Sequence, residues 1–292
     1  MTDAPNTQDQ TQAAASGQAA TAPRAMRAGE DPTVSARIGH SVVAWHDRGG
    51  QIAEQYRAVR TSLLAHYEEK EKKGNGKGAE NGRSKDKISS FCLLVTSAER
   101  GEGKTVTCAN LGVVLAEQSC RTVIVDCDLR TAGLAKVFGL ENSPGLTDVI
   151  CHRAQANGAP LAASDPPRQP AELEQVIQDT GIHNLSVIAA GSAKPDEIST
   201  LLGRPELHDI IRELKARFDV VLLDTPAVNV VSDVGMLRQL DGEALLALRM
   251  NHTRRESVER AIRLLKSVQI NIAGVVLTHQ KYYIPKFLYR WV

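Results

Sequence analysis

The chain has 292 residues, 42% of them apolar and only 4% aromatic, which fits one α/β domain with an aliphatic core and tails. Its formal net charge of +1, without a basic cluster interleaved with aromatic residues, argues against nucleic acid as a partner. The five cysteines lack C-x-x-C spacing and no run of eighteen apolar residues occurs, which favours buried thiols in the cytoplasm over export or a membrane span.

Composition divides the chain into a leader, a domain and a tail. Residues 1–40 begin with a stretch rich in Ala, Gln, Thr, Gly and Pro without periodicity, which predicts a disordered leader. The segment 41–280 is expected to form the domain, with a mobile charged connector at 68–87 and a proline-rich surface excursion at 152–178. The tail, 281–292, carries tyrosines.

The first helical pattern runs from Gln51 to Tyr67, where apolar residues recur at spacings of three and four. On a helical wheel Glu54, Arg57 and Arg60 fall away from the apolar stripe. We therefore expect these three side chains to face outward.

A glycine-rich segment, A-E-R-G-E-G-K-T, extends from Ala98 to Thr105 between a strand pattern and a helical pattern. This context predicts a phosphate-binding P-loop, because its glycines let the backbone approach and its N–H groups meet at a helix N-terminus. Lys104 is expected to reach the β- and γ-phosphates of ATP, and the Thr105 hydroxyl to bind Mg²⁺. The expected nucleotide contacts are Arg100, Gly101, Glu102, Gly103, Lys104, Thr105 and Val106.

Two further strand patterns end in carboxylates. Thr122–Val125 is followed by Asp126 and Asp128, and Val220–Leu223 by Asp224. Because the carboxyl ends of parallel strands share one edge of an open α/β sheet, these acids are expected to meet at the P-loop. Mg²⁺ takes few protein carboxylates and keeps several waters, which leaves Asp126 free for proton transfer. The expected magnesium ligands are Thr105, Asp128 and Asp224.

The remaining patterns alternate between strands and helices. Apolar runs at 184–189, 244–248 and 272–277 are interleaved with helical patterns near 205–217 and 256–268. The alternation predicts an α/β fold with a doubly wound, mostly parallel sheet.

The tail 281–292 holds three of the chain's five tyrosines and one of its two tryptophans. Its apolar residues are expected to dock on the domain, a membrane or a partner. Tyr282, Tyr283 and Tyr289 are interpreted as phosphoacceptors.

Taken together, these motifs resemble those of the cytoplasmic bacterial tyrosine kinases (BY-kinases) of the capsular and exopolysaccharide type. The similarity covers about Ile52 to the C-terminus and implies a P-loop NTPase fold with Walker A, A′ and B motifs. The matching motifs are G-E-G-K-[ST] at Gly101–Thr105, D-x-D-x-R at Asp126–Arg130, D-T-P at Asp224–Pro226, and E-x-x-R-x-x-R at Glu54, Arg57 and Arg60.

The resemblance implies transfer of the γ-phosphoryl group of ATP, with Mg²⁺, to tail tyrosines of a neighbouring copy. It implies that Lys104, Asp126 and Asp128 are catalytic, and that Glu54, Arg57 and Arg60 join copies into a ring-like homo-oligomer. The implied partners are a membrane activator of the polysaccharide-chain-length type and a tyrosine phosphatase. The implied location is the cytoplasm, at the inner face of the cell membrane through the activator.

The chain departs from the family pattern in several places, and two alternatives stay open. Ser199 replaces a glutamate, and Thr278 stands where an asparagine is expected near the adenine. A division-site or chromosome-partitioning ATPase switch (Min/Par type) shares the fold, but its hallmark lysine early in the P-loop is Glu99 here. The other alternative is a nucleotide-binding scaffold of polysaccharide machinery without kinase activity.

Overall fold

The structure is a computed structural model that describes residues 32–74, 90–158, 170–230, 235–238, 240 and 242–280. Tyr282, Tyr283 and Tyr289 lie outside these residues. Helices α1–α11 span Pro32–Arg37, Val43–His46, Gln51–Gly74, Lys104–Ala116, Leu134–Phe138, Leu146–Ala156, Leu173–Val176, Ile198–Leu202, Pro205–Arg217, Gly235–Arg238 and Arg255–Ser267. Strands β1–β7 span Phe91–Ser97, Thr122–Asp126, Ile177–Asp179, Leu185–Ile188, Val220–Asp224, Glu243–Arg249 and Ile272–Thr278.

The strands form one seven-stranded sheet in the order β3-β4-β2-β5-β1-β6-β7. Only the β3–β4 pair is antiparallel among the described strands. Every residue of β1, β2 and β5 is buried, as expected of central parallel strands covered on both faces. The predicted doubly wound, mostly parallel sheet is confirmed.

Helices cover both faces of the sheet because successive strand residues point in opposite directions. Leu93 belongs to the core shared with α3, α4 and α5, where it joins Leu111 and Phe138. Its neighbour Leu94 belongs to the opposite core, with Ile210 of α9 and Leu265 of α11. No helix among the described residues combines the length and the apolar character needed to cross a membrane.

Strand register fixes the positions of the acidic residues. Asp126 at the end of β2 is in register with Asp224 at the end of β5, and Asp224 is in register with Val95 of β1. Two residues after Val95, β1 ends and the P-loop segment begins. The sheet therefore delivers both acidic strand ends and the P-loop to the same edge.

The start of the domain differs from the expectation for the leader. Helix α1 lies within residues 1–40, and Arg37 donates a hydrogen bond from Nη2 to the carbonyl oxygen of Thr180 at 2.8 Å. Ile38 is only 2% exposed. The order of this segment could not be predicted from composition, because its few apolar residues are buried by contacts with distant parts of the chain.

The connector also begins later than expected, since α3 continues through Glu68 to Gly74. Glu and Lys are strong helix formers, and Glu69 pairs with Lys73 one turn later, at 2.6 Å. The rest of the connector, 75–87, lies outside the described residues.

The proline-rich segment 152–178 is only partly a surface excursion. Helix α6 extends to Ala156, and α7 places Leu173 and Val176 in the core with no exposed surface. Residues 159–169 lie outside the described part of the chain.

Candidate nucleotide and phosphoryl-transfer site

The P-loop segment has the strand, loop and helix context that its sequence predicted. Gly101 and Gly103 adopt φ values of +76° and +85°, a left-handed region that strains any residue with a Cβ. Helix α4 begins directly after Gly103, so its first N–H groups have no intrahelical acceptor. Such a helix terminus favours phosphate through its free donors and its dipole.

Lys104 joins this loop to the second acidic motif. Its Nζ atom lies 2.7 Å from Oδ2 of Asp128, and only 10% and 6% of the two side chains are exposed. On the same side, a Cβ built on Gly133 would lie 3.9 Å from the Thr105 hydroxyl oxygen. The loop after β2 is therefore packed against the start of α4, as the sequence predicted.

Asp126 is fully buried and held by two backbone donors. Its Oδ1 accepts from the Asp128 N–H at 3.1 Å, and its Oδ2 accepts from the Leu134 N–H at 2.9 Å. Burial, followed by the negative charge of Asp224, raises the pKa of Asp126 well above its ordinary value. A fixed carboxylate with a raised pKa has the properties of a proton acceptor.

Asp224 is also fully buried, yet neither carboxylate oxygen has a hydrogen-bond partner among the described residues. Burial raises its pKa to about 6, although the charge of Lys104 and the Thr105 hydroxyl oppose this shift. The Thr105 hydroxyl and the charge of Lys104 compensate the buried carboxylate only in part, and a bound cation would remove most of the remaining cost.

The residues around Asp224 fit Mg²⁺ in the chemistry of their oxygen atoms. Thr105 and Asp128 lie in the same cluster, and Mg²⁺ needs only one or two protein carboxylates because water and phosphate complete its shell. Within the described ranges, no three His, Cys, Asp or Glu side chains form a closed metal cage. The donor set thus suits a cation shared with a phosphate ligand.

Glu102 has a different environment from the one expected. Its side chain is fully buried, with Oε2 accepting from the Glu99 N–H at 2.8 Å and Oε1 accepting from the Thr253 hydroxyl. Only its backbone remains for the nucleotide contact that the sequence predicted. Arg100 is exposed, and Val106 uses its carbonyl oxygen to accept from the Asn110 amide at 2.8 Å.

The end of β7 contributes residues that sequence reasoning placed incompletely. The Thr278 hydroxyl donates to the carbonyl oxygen of Glu102 at 2.7 Å, so its side chain is committed to the P-loop backbone. His279 was not predicted, yet its Cε1 would lie 3.5 Å from a Cβ built on Gly103. Its position directly after Thr278 was the only available signal.

The helical triad on α3 does not face outward as a unit. Glu54 is 65% exposed, whereas Arg57 is 21% exposed and pairs with both Glu54 and Glu117. The outward orientation predicted for Arg60 is wrong. Arg60 is 8% exposed and donates to the carbonyl oxygen of Val114 at 2.8 Å, near the end of α4.

Comparisons with known proteins agree with this geometry. The family model of the CobQ/CobB/MinD/ParA nucleotide binding domain matches residues 93–282. The tyrosine-protein kinase YwqD of Bacillus subtilis (strain 168) is 26% identical over 84% of this chain and 88% of its own length.

Solved structures give the same grouping. The VpsO kinase domain is 27% identical, with a TM-score of 0.59, over 79% of this chain and 98% of that domain. The septum site-determining protein MinD from Pyrococcus horikoshii, complexed with Mg-ADP, is 24% identical, with a TM-score of 0.51, over 68% of this chain and 75% of its own. The MinD likeness shows the shared fold. The chain therefore belongs to the CobQ/CobB/MinD/ParA nucleotide binding domain family, and the kinases among its relatives confirm the predicted resemblance to bacterial tyrosine kinases.

Proposed function

We propose that the protein is an ATP-dependent protein-tyrosine autokinase that regulates capsular or exopolysaccharide synthesis or export. The observation that carries this proposal is the meeting of three motifs: Lys104 lies 2.7 Å from Asp128, and Asp126 and Asp224 are in register on adjacent strands. A P-loop beside two acidic strand ends suits phosphoryl transfer from a nucleoside triphosphate. The names of YwqD and VpsO, both kinases, support transfer to protein over simple hydrolysis.

The P-loop binds and orients the phosphates in this proposal. The backbone N–H groups from Arg100 to Thr105 hold the phosphate chain, and exposed Arg100 adds a positive charge. Lys104 exchanges Asp128 for the β- and γ-phosphate oxygens, where it offsets the charge that develops during transfer. Thr105, Asp128 and Asp224 would hold Mg²⁺, which neutralises charge on the phosphate oxygens when it is bound.

Asp126 is the proposed proton acceptor. A tyrosine hydroxyl has a pKa near 10, so it is protonated at neutral pH and must lose its proton as it attacks phosphorus. The backbone donors at Asp128 and Leu134 fix the carboxylate, and each oxygen keeps a second lone pair for the phenol. The proposed acceptors are Tyr282, Tyr283 and Tyr289.

Transfer between copies requires a homo-oligomer, and the exposed part of α3 is its proposed contact. Glu54 offers a carboxylate that is 65% exposed, and its ion-pair partner Arg57 also pairs with Glu117. Arg60 contributes indirectly, because its bond to Val114 holds α3 against the P-loop helix. Each added phosphate brings nearly two negative charges, so phosphorylated tails are expected to leave the acidic site and open the ring.

The proposed cellular setting follows from the same family. A membrane activator of the polysaccharide-chain-length type would complete the active site, and a tyrosine phosphatase would reverse the modification. The proposed location is the cytoplasm, at the inner face of the cell membrane.

Incubation of the purified protein with labelled ATP and Mg²⁺ tests the proposal. Label on tail tyrosines, lost in Lys104→Met, is the expected result. Release of free phosphate without protein label would indicate a MinD-type switch instead. If neither labelled protein nor free phosphate forms in the presence of the activator, the result would indicate a nucleotide-binding scaffold without kinase activity.

A further inference from the structure

Glu102 is an acidic residue of the P-loop whose side chain is buried in the protein. It has no exposed surface, although it lies between two glycines of a solvent-reaching turn. A buried carboxylate is tolerated only when hydrogen bonds replace its lost hydration. Glu102 receives two, from the Glu99 N–H and from the Thr253 hydroxyl.

Thr253 supplies the second of these bonds from another part of the chain. It lies in the turn between β6 and α11, and its hydroxyl oxygen accepts from the Arg249 N–H at 3.0 Å. The Arg249 carbonyl oxygen, at 3.1 Å, also lies within reach of the single hydroxyl proton, but the Glu102 carboxylate is nearer and is the stronger acceptor. A side chain 151 positions away along the chain therefore fixes the middle of the P-loop.

Two more hydroxyl groups reinforce this connection. Ser257, in the first turn of α11, donates to Oε1 of Glu99 at 2.5 Å. Thr278, at the end of β7, donates to the carbonyl oxygen of Glu102 at 2.7 Å. Both glutamates of the P-loop are thus held by residues that follow β6 or end β7.

We infer that Glu102 and Thr253 are positioning residues, which hold the P-loop amides and Lys104 in the conformation that binds phosphate. The inference rests on the proposed nucleotide site and adds the residues that shape it. Gly101 and Gly103 give the loop its curvature but leave it conformationally free, because glycine has few restraints of its own. The Glu102–Thr253 bond supplies the missing restraint.

Calorimetric titration with MgADP tests this role independently of phosphoryl transfer. Thr253→Val keeps the shape but loses the hydroxyl, and we expect it to weaken MgADP binding about tenfold, as befits loss of one charge-assisted hydrogen bond. Thr253→Ser should restore affinity to within about threefold. Glu102→Gln, which keeps an acceptor oxygen, should bind more tightly than Glu102→Ala.

Two controls separate positioning from folding. Thr61→Val makes the same chemical change on the exposed side of α3 and should leave MgADP affinity unchanged. Melting curves measured without nucleotide should show a cooperative transition for both variants, with the midpoint of Thr253→Val a few degrees below that of Thr253→Ser because the buried Glu102 loses a hydrogen bond. Equal MgADP affinity in Thr253→Val and the natural chain would overturn the inference, as would a loss that Thr253→Ser does not rescue.

The outcome is distinguishable from failure of the proposed function. A natural chain that binds MgADP with the expected variant pattern but labels no tyrosine would overturn the kinase proposal alone. Normal tyrosine labelling together with unchanged MgADP binding in Thr253→Val would overturn the positioning role alone.

Discussion

Lys104 and Asp128 form a buried ion pair, with Nζ of the first residue of α4 lying 2.7 Å from Oδ2 in the loop after β2. The pair shows that the P-loop lysine can be held in place by the same carboxylate that the proposal assigns to Mg²⁺. As the charged partner in this ion pair, Lys104 is therefore already oriented at the site where the phosphates are expected to bind.

The variant Asp128→Asn is expected to be less stable than the natural chain. Neutralising Asp128 removes the direct partner of the buried Lys104, while Asp224 remains nearby to compensate part of its charge, so we expect a loss of about 1 to 3 kcal/mol in the free energy of unfolding. Urea denaturation without nucleotide measures it. MgATP should recover part of the lost stability, because its phosphates replace the missing negative charge.

Glu259→Gln is the matched control for that variant. Glu259 pairs with Arg255 at 2.8 Å on the exposed face of α11, and removal of such a surface charge should change stability by less than about 0.5 kcal/mol. Equal losses in the two variants would contradict the distinction between the buried pair and a surface pair.

Asp224→Asn should stabilise the protein in the absence of Mg²⁺ and nucleotide, while abolishing phosphoryl transfer. Burial raises the pKa of Asp224 from 3.8 to about 6, so the folded state binds this proton more tightly than the unfolded state does. The resulting penalty is absent well below pH 4 and complete above the folded pKa, where it amounts to about 3 kcal/mol.

The direction of this pH dependence can be tested by denaturation at two pH values. Relative to the natural chain, Asp224→Asn should gain about 3 kcal/mol at pH 7.5 and only about 1 kcal/mol at pH 4.5. Asp126 has a pKa shifted in the same direction, so the natural chain should lose stability as pH rises through this window. A gain of the same size at both pH values would refute the assignment.

The two arginines of the α3 triad should separate in their effects. Arg60→Ala removes a buried bond to Val114 and the packing of its stem, so we expect a loss of about 1 to 3 kcal/mol in stability. Arg57→Ala should cost less than about 1 kcal/mol but shift sedimentation toward smaller species. Assembly that is unchanged in both Arg57→Ala and Glu54→Ala would remove α3 from the proposed interface.

Arg100→Ala tests whether the exposed arginine helps at the phosphates. We expect phosphoryl transfer to fall by about threefold to tenfold, and less at high salt, because exposed charges are screened. Arg212→Ala, on the exposed part of α9, is the control and should have no effect. Unchanged turnover in Arg100→Ala would eliminate this role.

Part of the site followed from the sequence because the carboxyl ends of parallel strands share one edge of the sheet, which brings Asp126 and Asp224 near the P-loop. The pairing of β2 with β5, and with it the register of Asp126 with Asp224, came only from the structure, because periodicity does not fix strand order. The orphaned carboxylate of Asp224 and the pairing of Lys104 with Asp128 could not be predicted, because they depend on side-chain packing across separate elements.

The failures have physical causes of the same kind. A helical wheel assigned Arg60 to the outer face, but a long guanidinium side chain can reach a carbonyl at the end of a neighbouring helix. The charged start of the connector looked mobile, yet Glu and Lys extend α3 to Gly74. Glu102 was grouped with the phosphate contacts because its buried partner, Thr253, lies far away in the sequence.

The most direct test of the account is a mixture of active chain with isotopically labelled Lys104→Met chain, incubated with ATP and Mg²⁺ and mapped by mass spectrometry. The account predicts phosphate on Tyr282, Tyr283 or Tyr289 of the labelled, inactive copy, and none when Lys104→Met is incubated alone. Phosphate confined to the active copy would contradict transfer between copies, and ATP hydrolysis without any modified tyrosine would contradict the kinase assignment itself.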